Sequence, residues 1–284
     1  MKLSVTSYSF GGYMAEDKLG YLGIIDKAAE MGFDGIEYSQ GAFIDIEGSA
    51  AKIRERAAEK GIEVVALCVG NDFINAESPG AAVERLKKMV DYAKEMGASM
   101  LRHDITAGVR DRKYKRGYAD LLPTLAECTR EVTEYAKSLG IKTMTENHGY
   151  FSQDAERVES LINAVGSDNF GALVDIGNFM CADEDPAFSV GIMAPYAFHV
   201  HAKDFLYKKG TEINPGEGWF RTRGGNYLRG AIIGQGEGKA FQTLGILKRS
   251  GYDGYITVEF EGAEDNLKGI RIGKDNVKRF WEMN

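Results

Sequence analysis

The sequence predicts an α/β fold, a closed (β/α)8 barrel, and three observations carry that prediction. A helix–glycine–strand pattern recurs five times, and eight strand-like runs alternate with eight helical ones. The third is length: 284 residues suit a barrel of this kind, which typically needs about 250.

The repeat reads AAEMGFDGIEYS (28–39), AAEKGIEVVALC (57–68), AKEMGASMLRHD (93–104), AKSLGIKTMTEN (136–147) and LKRSGYDGYITVEF (247–260). Each copy opens on the Ala- or Lys-rich end of an amphipathic helix. Gly32, Gly61, Gly97, Gly140 and Gly251 then stand where a helix must turn left-handed without a Cβ penalty. A short apolar run closes each copy. Extending the pattern gives strands near 3–9, 34–38, 62–68, 99–104, 141–147, 171–175, 197–202 and 255–260. Helices fall near 17–31, 49–60, 79–96, 117–139, 153–165, 186–193, 240–249 and 264–282. Such alternation means a parallel sheet with helices outside it. An open doubly wound sheet would want a glycine-rich phosphate loop after its first strand, and SYSFGGYM does not supply one.

Composition narrows the function classes. A net charge of −7 offers no basic field to nucleic acid or an anionic membrane. No apolar run approaches the roughly 20 residues needed to cross a bilayer, and the N-terminus lacks a signal-peptide core. Cys68, Cys128 and Cys181 are scattered and odd in number, which fits a reducing cytoplasm better than a disulfide framework. Five prolines leave little room for a linker, so residues 1–284 are expected to form one domain. The expected partner is a small molecule, and a homo-oligomer is compatible with it. One connection is out of scale: residues 203–239, rich in Gly, carry Trp219, Phe220 and Tyr227 beside Arg221, Arg223 and Arg229. Connections that long are often functional covers. This one is expected to cover the active site, with the arginines placed to grip an anionic or polyhydroxylated ligand.

The chemistry is expected between Lys142 and Phe260, where four successive strand-like runs end on Glu, Asp or His. Catalytic groups of a barrel lie at the C-terminal strand ends. In the last strand Ile256, Val258 and Phe260 should face the helices, leaving Thr257, Glu259 and Glu261 toward the axis. The same parity groups Met144, Glu146 and His148, then Leu173 and Asp175, then Ala197, His199 and His201. Three carboxylates and an imidazole therefore converge at one mouth. Without a cation they would repel one another and drive a pKa upward. One divalent ion resolves this: Mn²⁺ first, with Mg²⁺, Co²⁺ or Zn²⁺ as alternatives.

These residues carry a resemblance. TENHG (145–149), DIGN (175–178), HVHAKD (199–204) and VEFEG (258–262), together with GFDGIE and IGQGEG, resemble the sugar-phosphate isomerase/epimerase family of xylose isomerase-like TIM barrels. The resemblance implies that Glu146, Asp175, His201 and Glu259 bind one metal, and that the enzyme is an isomerase or epimerase of sugars, sugar phosphates or polyol ketones. Glu146 and Glu259 would move the proton through a metal-stabilised enediolate. Inosose-type dehydratases and other lyases share the fold, as do apurinic endonucleases; a non-catalytic sugar-binding barrel is the reading of another class. Many members carry a His three residues after the metal-binding Asp. Here Asn178 stands there, able to bond a hydroxyl but not to shuttle a proton. Substrate contacts are expected from His148, Asn178, Lys203, Arg229, Glu37 and His103, and pocket walls from Tyr8 and Phe10. His199, one step deeper than His201, reads as a core histidine, and Glu261 replaces Glu259 as ligand if the register is shifted by two.

Overall fold

Apolar alternation and helix-stopping glycines shape the chain as expected in a computed structural model, which describes residues 1–111 and 117–284. In chain order the elements are β1 (Lys2–Thr6), α1 (Gly20–Glu30), β2 (Gly35–Ser39), α2 (Ser49–Lys60), β3 (Glu63–Val69), α3 (Pro79–Glu95), β4 (Met100–His103), α4 (Tyr118–Ser138), β5 (Lys142–Glu146), α5 (Ala155–Val165), β6 (Phe170–Asp175), α6 (Pro186–Met193), β7 (Ala197–Ala202), β8 (Asp204–Lys208), β9 (Phe220–Arg221), β10 (Tyr227–Ala231), α7 (Ala240–Arg249), β11 (Tyr255–Val258) and α8 (Asn266–Met283). Eight parallel strands close a barrel in the order β1-β11-β7-β6-β5-β4-β3-β2. The five repeat glycines all take positive φ, from 69° at Gly61 to 85° at Gly251.

Two cores result. Val5, Ile36, Leu67, Leu101, Val174, Val200 and Ile256 pack outward under the helices. Inside the barrel, Val65, Ala66, Cys68, Met100, Met144, Leu173 and Tyr255 form a separate apolar plug. Buried polar groups accompany it: Ser4, Thr257, His199 and Glu37 are each 0% exposed. Strand parity holds except at two bulges, at Ile36/Glu37 opposite β3 and at Ala172/Leu173 opposite β7. The second corrects one expectation. Phe198, not Ala197, packs against the interior plug, because an extra β7 residue resets the alternation just before His199.

Residues 203–239 are less irregular than expected. They build a three-stranded antiparallel sheet, β8-β10-β9, of which Phe205, Leu228 and Phe220 pack on Met180 and Cys181 after β6. Its return to the barrel is fixed by Asp204, whose carboxylate accepts from the backbone N–H of Phe205, Gly234, Gly236 and Gly238 at 2.7–3.0 Å. A Cβ at Gly236 would lie 2.4 Å from Asp204 Oδ1, which is why IGQGEG must be glycine there.

Candidate metal centre

Glu146, Asp175, His201 and Glu259 come from β5, β6, β7 and the residue after β11, neighbours around the barrel. Each offers a ligand atom, and these four atoms all lie within 4.8 Å of one another. The strand ends place them, and the following residues hold them. Asn147 cross-links β5 to β6 through the Asp175 backbone, donating to its carbonyl and accepting from its N–H, each at 2.9 Å. Asp175 Oδ1 accepts from the N–H of Gly177 (2.8 Å) and Asn178 (3.0 Å). Gly177 is required because a Cβ would sit 2.8 Å from the Lys203 carbonyl oxygen.

Two cations enter this cluster. Arg102 Nη2 is 2.7 Å from Glu146 Oε2 and 2.7 Å from Asp104 Oδ1. Lys203 Nζ is 3.2 Å from Asp175 Oδ2 and 3.1 Å from Glu259 Oε2. His201 lies between two carboxylates: burial alone would lower its pKa, but Glu37 and Glu259 raise it well above the usual range. Burial likewise opposes ionisation of Glu259, yet Lys203 and His201 hold its pKa far below that of an ordinary carboxylate. Asp175 behaves oppositely. Burial, with Glu259 and Glu146 nearby, pushes its pKa up to about 7 despite Lys203 and His201.

The residues fit a divalent ion. Asp175 Oδ2 is buried and, beyond its ion-pair contact with Lys203, accepts no hydrogen bond; it belongs to a set of three carboxylates and one imidazole. That donor set is oxygen-rich with one borderline nitrogen, as Mn²⁺ or Mg²⁺ sites are. Burial is the largest cause of the raised Asp175 pKa, and the neighbouring Glu259 and Glu146 carboxylates add to it.

The expected substrate contacts divide. Asn178 is at the centre: its Nδ2 donates to Glu146 Oε1 at 2.7 Å, and its Oδ1 lies 3.3 Å from Lys203 Nζ. His148 stands at the mouth with its side chain 48% exposed and Nδ1 2.9 Å from Asp104 Oδ1. Burial would lower its pKa, but the Asp104 hydrogen bond together with the Asp104 and Glu146 charges raises it on balance. Tyr8 is also at the mouth, 54% exposed, where Glu261 and Lys203 act on its hydroxyl. Glu261 lies 3.8 Å from Lys203 Nζ, whereas Glu259 contacts both His201 and Lys203. The shifted register is therefore not adopted.

Expectations at six residues are corrected. Glu37 is wholly buried beneath His201, because β2 runs on to Ser39 and leaves Glu37 one pleat below the strand end. His103 faces the helix layer, next to inward-facing Arg102, between Phe73 and Phe170. Arg229 is taken up within the hairpin sheet, its guanidinium over the Trp219 ring. Arg221 bonds the Gly225 carbonyl and Tyr227, and Arg223 bonds Asp154 and the Tyr150 carbonyl. Phe10, at 0% exposure, belongs to the core rather than a pocket wall. His199 is a buried core histidine as expected. Sequence reasoning missed Asp104, which links Arg102 to His148; the inward parity Met100, Arg102, Asp104 was the signal.

Comparison with known proteins bears on the fold and the family. The chain is 28% identical over 187 residues to a 2-epi-5-epi-valiolone 7-phosphate 2-epimerase from Actinoplanes sp., covering 62% of this chain and 65% of that one. It is 23% identical over 211 residues to a 3-dehydroshikimate dehydratase from Pseudomonas aeruginosa, covering 72% of this chain and 31% of the relative. The chain thus spans less than two thirds of either relative's length. Among solved structures, D-psicose 3-epimerase from Clostridium cellulolyticum H10 superposes with a TM-score of 0.77 at 13% identity, covering 99% of each chain. The family model described as xylose isomerase-like TIM barrel matches residues 25–279, and the chain belongs to that family.

Proposed function

We propose that this protein is a metal-dependent isomerase or epimerase of a small polyhydroxylated carbonyl compound: a sugar, a sugar phosphate or a polyol ketone. The observation that carries this reading is the convergence of Glu146, Asp175, His201 and Glu259 from four adjacent strands within 4.8 Å. The relatives support it at a coarser level, since they include epimerases and a dehydratase. Those four residues would hold one divalent ion, Mn²⁺ first. When bound, such an ion polarises a carbonyl and makes the neighbouring C–H more acidic.

The chain's own groups do the rest. Glu146 and Glu259 are the carboxylates assigned to take up the proton and to return it. Each is restrained: Glu146 by Arg102 and Asn178, Glu259 by His201 and Lys203. Their position is therefore set before substrate arrives. Asn178, Lys203 and His148 are assigned to substrate hydroxyls, with Tyr8 walling the mouth. The hairpin sheet is the proposed cover, tethered by Arg223 to Asp154 and by the Tyr150 hydroxyl to the Arg221 carbonyl. Loss of a β-hydroxyl after the same proton abstraction is the second reading, favoured by the likeness to a dehydratase. No helix among the described residues is long and apolar enough to cross a membrane. The three cysteines are free and buried, which supports a cytoplasmic location.

Two measurements test the proposal. Protein purified without chelator should carry about one divalent ion per chain. Incubated in deuterated water with a panel of ketoses and inososes, it should exchange the hydrogen next to the carbonyl. Metal-free protein, with no exchange and no turnover across the panel, would leave a sugar-binding barrel instead.

A further inference from the structure

We propose that Glu37 is a positioning residue for the metal centre, acting through His201; the inference rests on the metal reading above. His201 belongs to two clusters at once and meets them through opposite ring nitrogens. Its Nδ1 lies 2.7 Å from Glu259 Oε2 and 4.0 Å from Asp175 Oδ2. Its Nε2 lies 2.8 Å from Glu37 Oε2. When Nε2 carries the proton and donates it to Glu37, the lone pair of a neutral ring is left on Nδ1, aimed at the centre. The same carboxylate fixes the ring's rotation. Glu37 thereby selects both the tautomer and the orientation that a ligand at this position needs.

Glu37 is itself held from the side away from the metal. Its Oε2 is 3.1 Å from His199 Nε2. His199 Nε2 is 2.7 Å from Thr257 Oγ1, which is 2.5 Å from Ser4 Oγ. This chain of side chains passes from β1 to β11, β7 and β2 and ends on His201, and all five members are buried. Beside it the barrel interior is filled by Met144, Leu173 and Tyr255. Burying an ionised carboxylate and two imidazoles at such depth costs stability that apolar side chains would not. The chain's upper end meets the centre at the one ligand that is not a carboxylate.

Glu37, His199 and His201 are also close enough to hold an ion of their own. That arrangement would require His201 to bind through both nitrogens, as a fully deprotonated imidazolate. It would also compete with Thr257 for His199 Nε2. The geometry points instead to a carboxylate–imidazole hydrogen bond beneath a single metal.

The test is a Co²⁺ titration of chelator-stripped full-length protein, followed by visible absorption, on wild type, Glu37→Gln and Ser4→Ala. Glutamine keeps the shape and an acceptor oxygen but removes the charge. Glu37→Gln should weaken Co²⁺ binding by about 10–100-fold and change the d–d bands, reporting an altered imidazole ligand. Ser4→Ala cuts the far end of the same buried chain and should stay within about twofold of wild type. Cooperative unfolding verifies each fold. If Glu37→Gln does not fold, Glu37→Asp, whose shorter side chain withdraws from His201, carries the same expectation. Wild-type affinity and bands in the Glu37 variant overturn the positioning role. An equal loss in Ser4→Ala overturns it too, because the chain is then merely structural. Two Co²⁺ ions per wild-type chain also overturn it, making Glu37 a ligand. A wild-type protein that binds no Co²⁺ overturns the metal centre itself, a failure distinct from the others.

Discussion

The barrel mouth has two unlike halves. Around β5, β6, β7 and β11 the strand ends present Glu146, Asp175, His201 and Glu259 to one point. Around β1 to β4 the last strand residues are Thr6, Ser39, Val69 and His103, and none of them joins that cluster. The quieter half is not inert. It sends Glu37 and Arg102 inward, one to His201 and the other to Glu146. One half therefore carries the groups assigned to the chemistry, while the other supplies countercharges that fix where those groups point.

This division can be broken experimentally, beginning where the largest effect is expected. Glu259→Gln should lower turnover by about 10²–10⁴-fold without unfolding the protein, the loss expected for a general acid–base group. Ser39→Ala, on the other half, should leave the rate within about twofold. Initial rates on whichever substrate the exchange panel identifies decide it, and comparable losses would erase the distinction. Next, Arg102→Met strands Glu146 and Asp104 without their shared cation. At 8% and 7% side-chain exposure the Arg102–Glu146 pair is buried, so denaturant unfolding should show a loss of about 3–5 kcal/mol. A loss below about 1 kcal/mol would mean that the pair is solvated.

A third effect isolates the quiet half. Burial drives the His103 pKa down to about 4, despite its hydrogen bond to the Asp104 carbonyl. The folded chain thus keeps His103 neutral at pH values where the unfolded chain binds a proton. The stability this provides is complete above about pH 6.5 and is lost as pH falls through about 4. The loss should approach about 3 kcal/mol and should be missing from His103→Phe, measured as the difference in unfolding free energy across that window. Last and smallest, Lys2 and Glu63 pair at 3.1 Å with side chains 55% and 62% exposed. Lys2→Ala should cost well under about 1 kcal/mol in the same assay.

Much of this was legible in the sequence, for reasons that differ from place to place. Helices α2, α6 and α7 begin and end at the residues the periodicity indicates. The recurring glycine supplies a sharp stop and apolar spacing supplies the face. The inward faces that carry the four converging residues were legible because period-two parity is rigid over a short strand, and the family resemblance singled out Glu259 over Glu261 and His201 over His199. Depth was harder to read. Glu37 and Glu259 both lie on inward faces, yet one sits a pleat below its strand end and the other just past it. Only the register between strands fixes such a difference. The bulge at Phe198 was invisible for the same reason. The hairpin sheet escaped because glycines crowd the connections between its strands and β9 has only two residues. Its arginines looked free on paper, but Tyr227, Trp219 and Asp154 claim them.

The Asp204 clamp has a consequence for how such a protein can be remodelled. The hairpin sheet leaves the barrel at Asp204 and returns through Gly234, Gly236 and Gly238, all bonded to that one carboxylate. The two feet of the insertion are thus tied together independently of what lies between them. Segments of other lengths could be spliced in between residues 209 and 219 while the barrel senses the same pair of anchor points. The hairpin could then be exchanged as a cassette, with Asp204 as the socket.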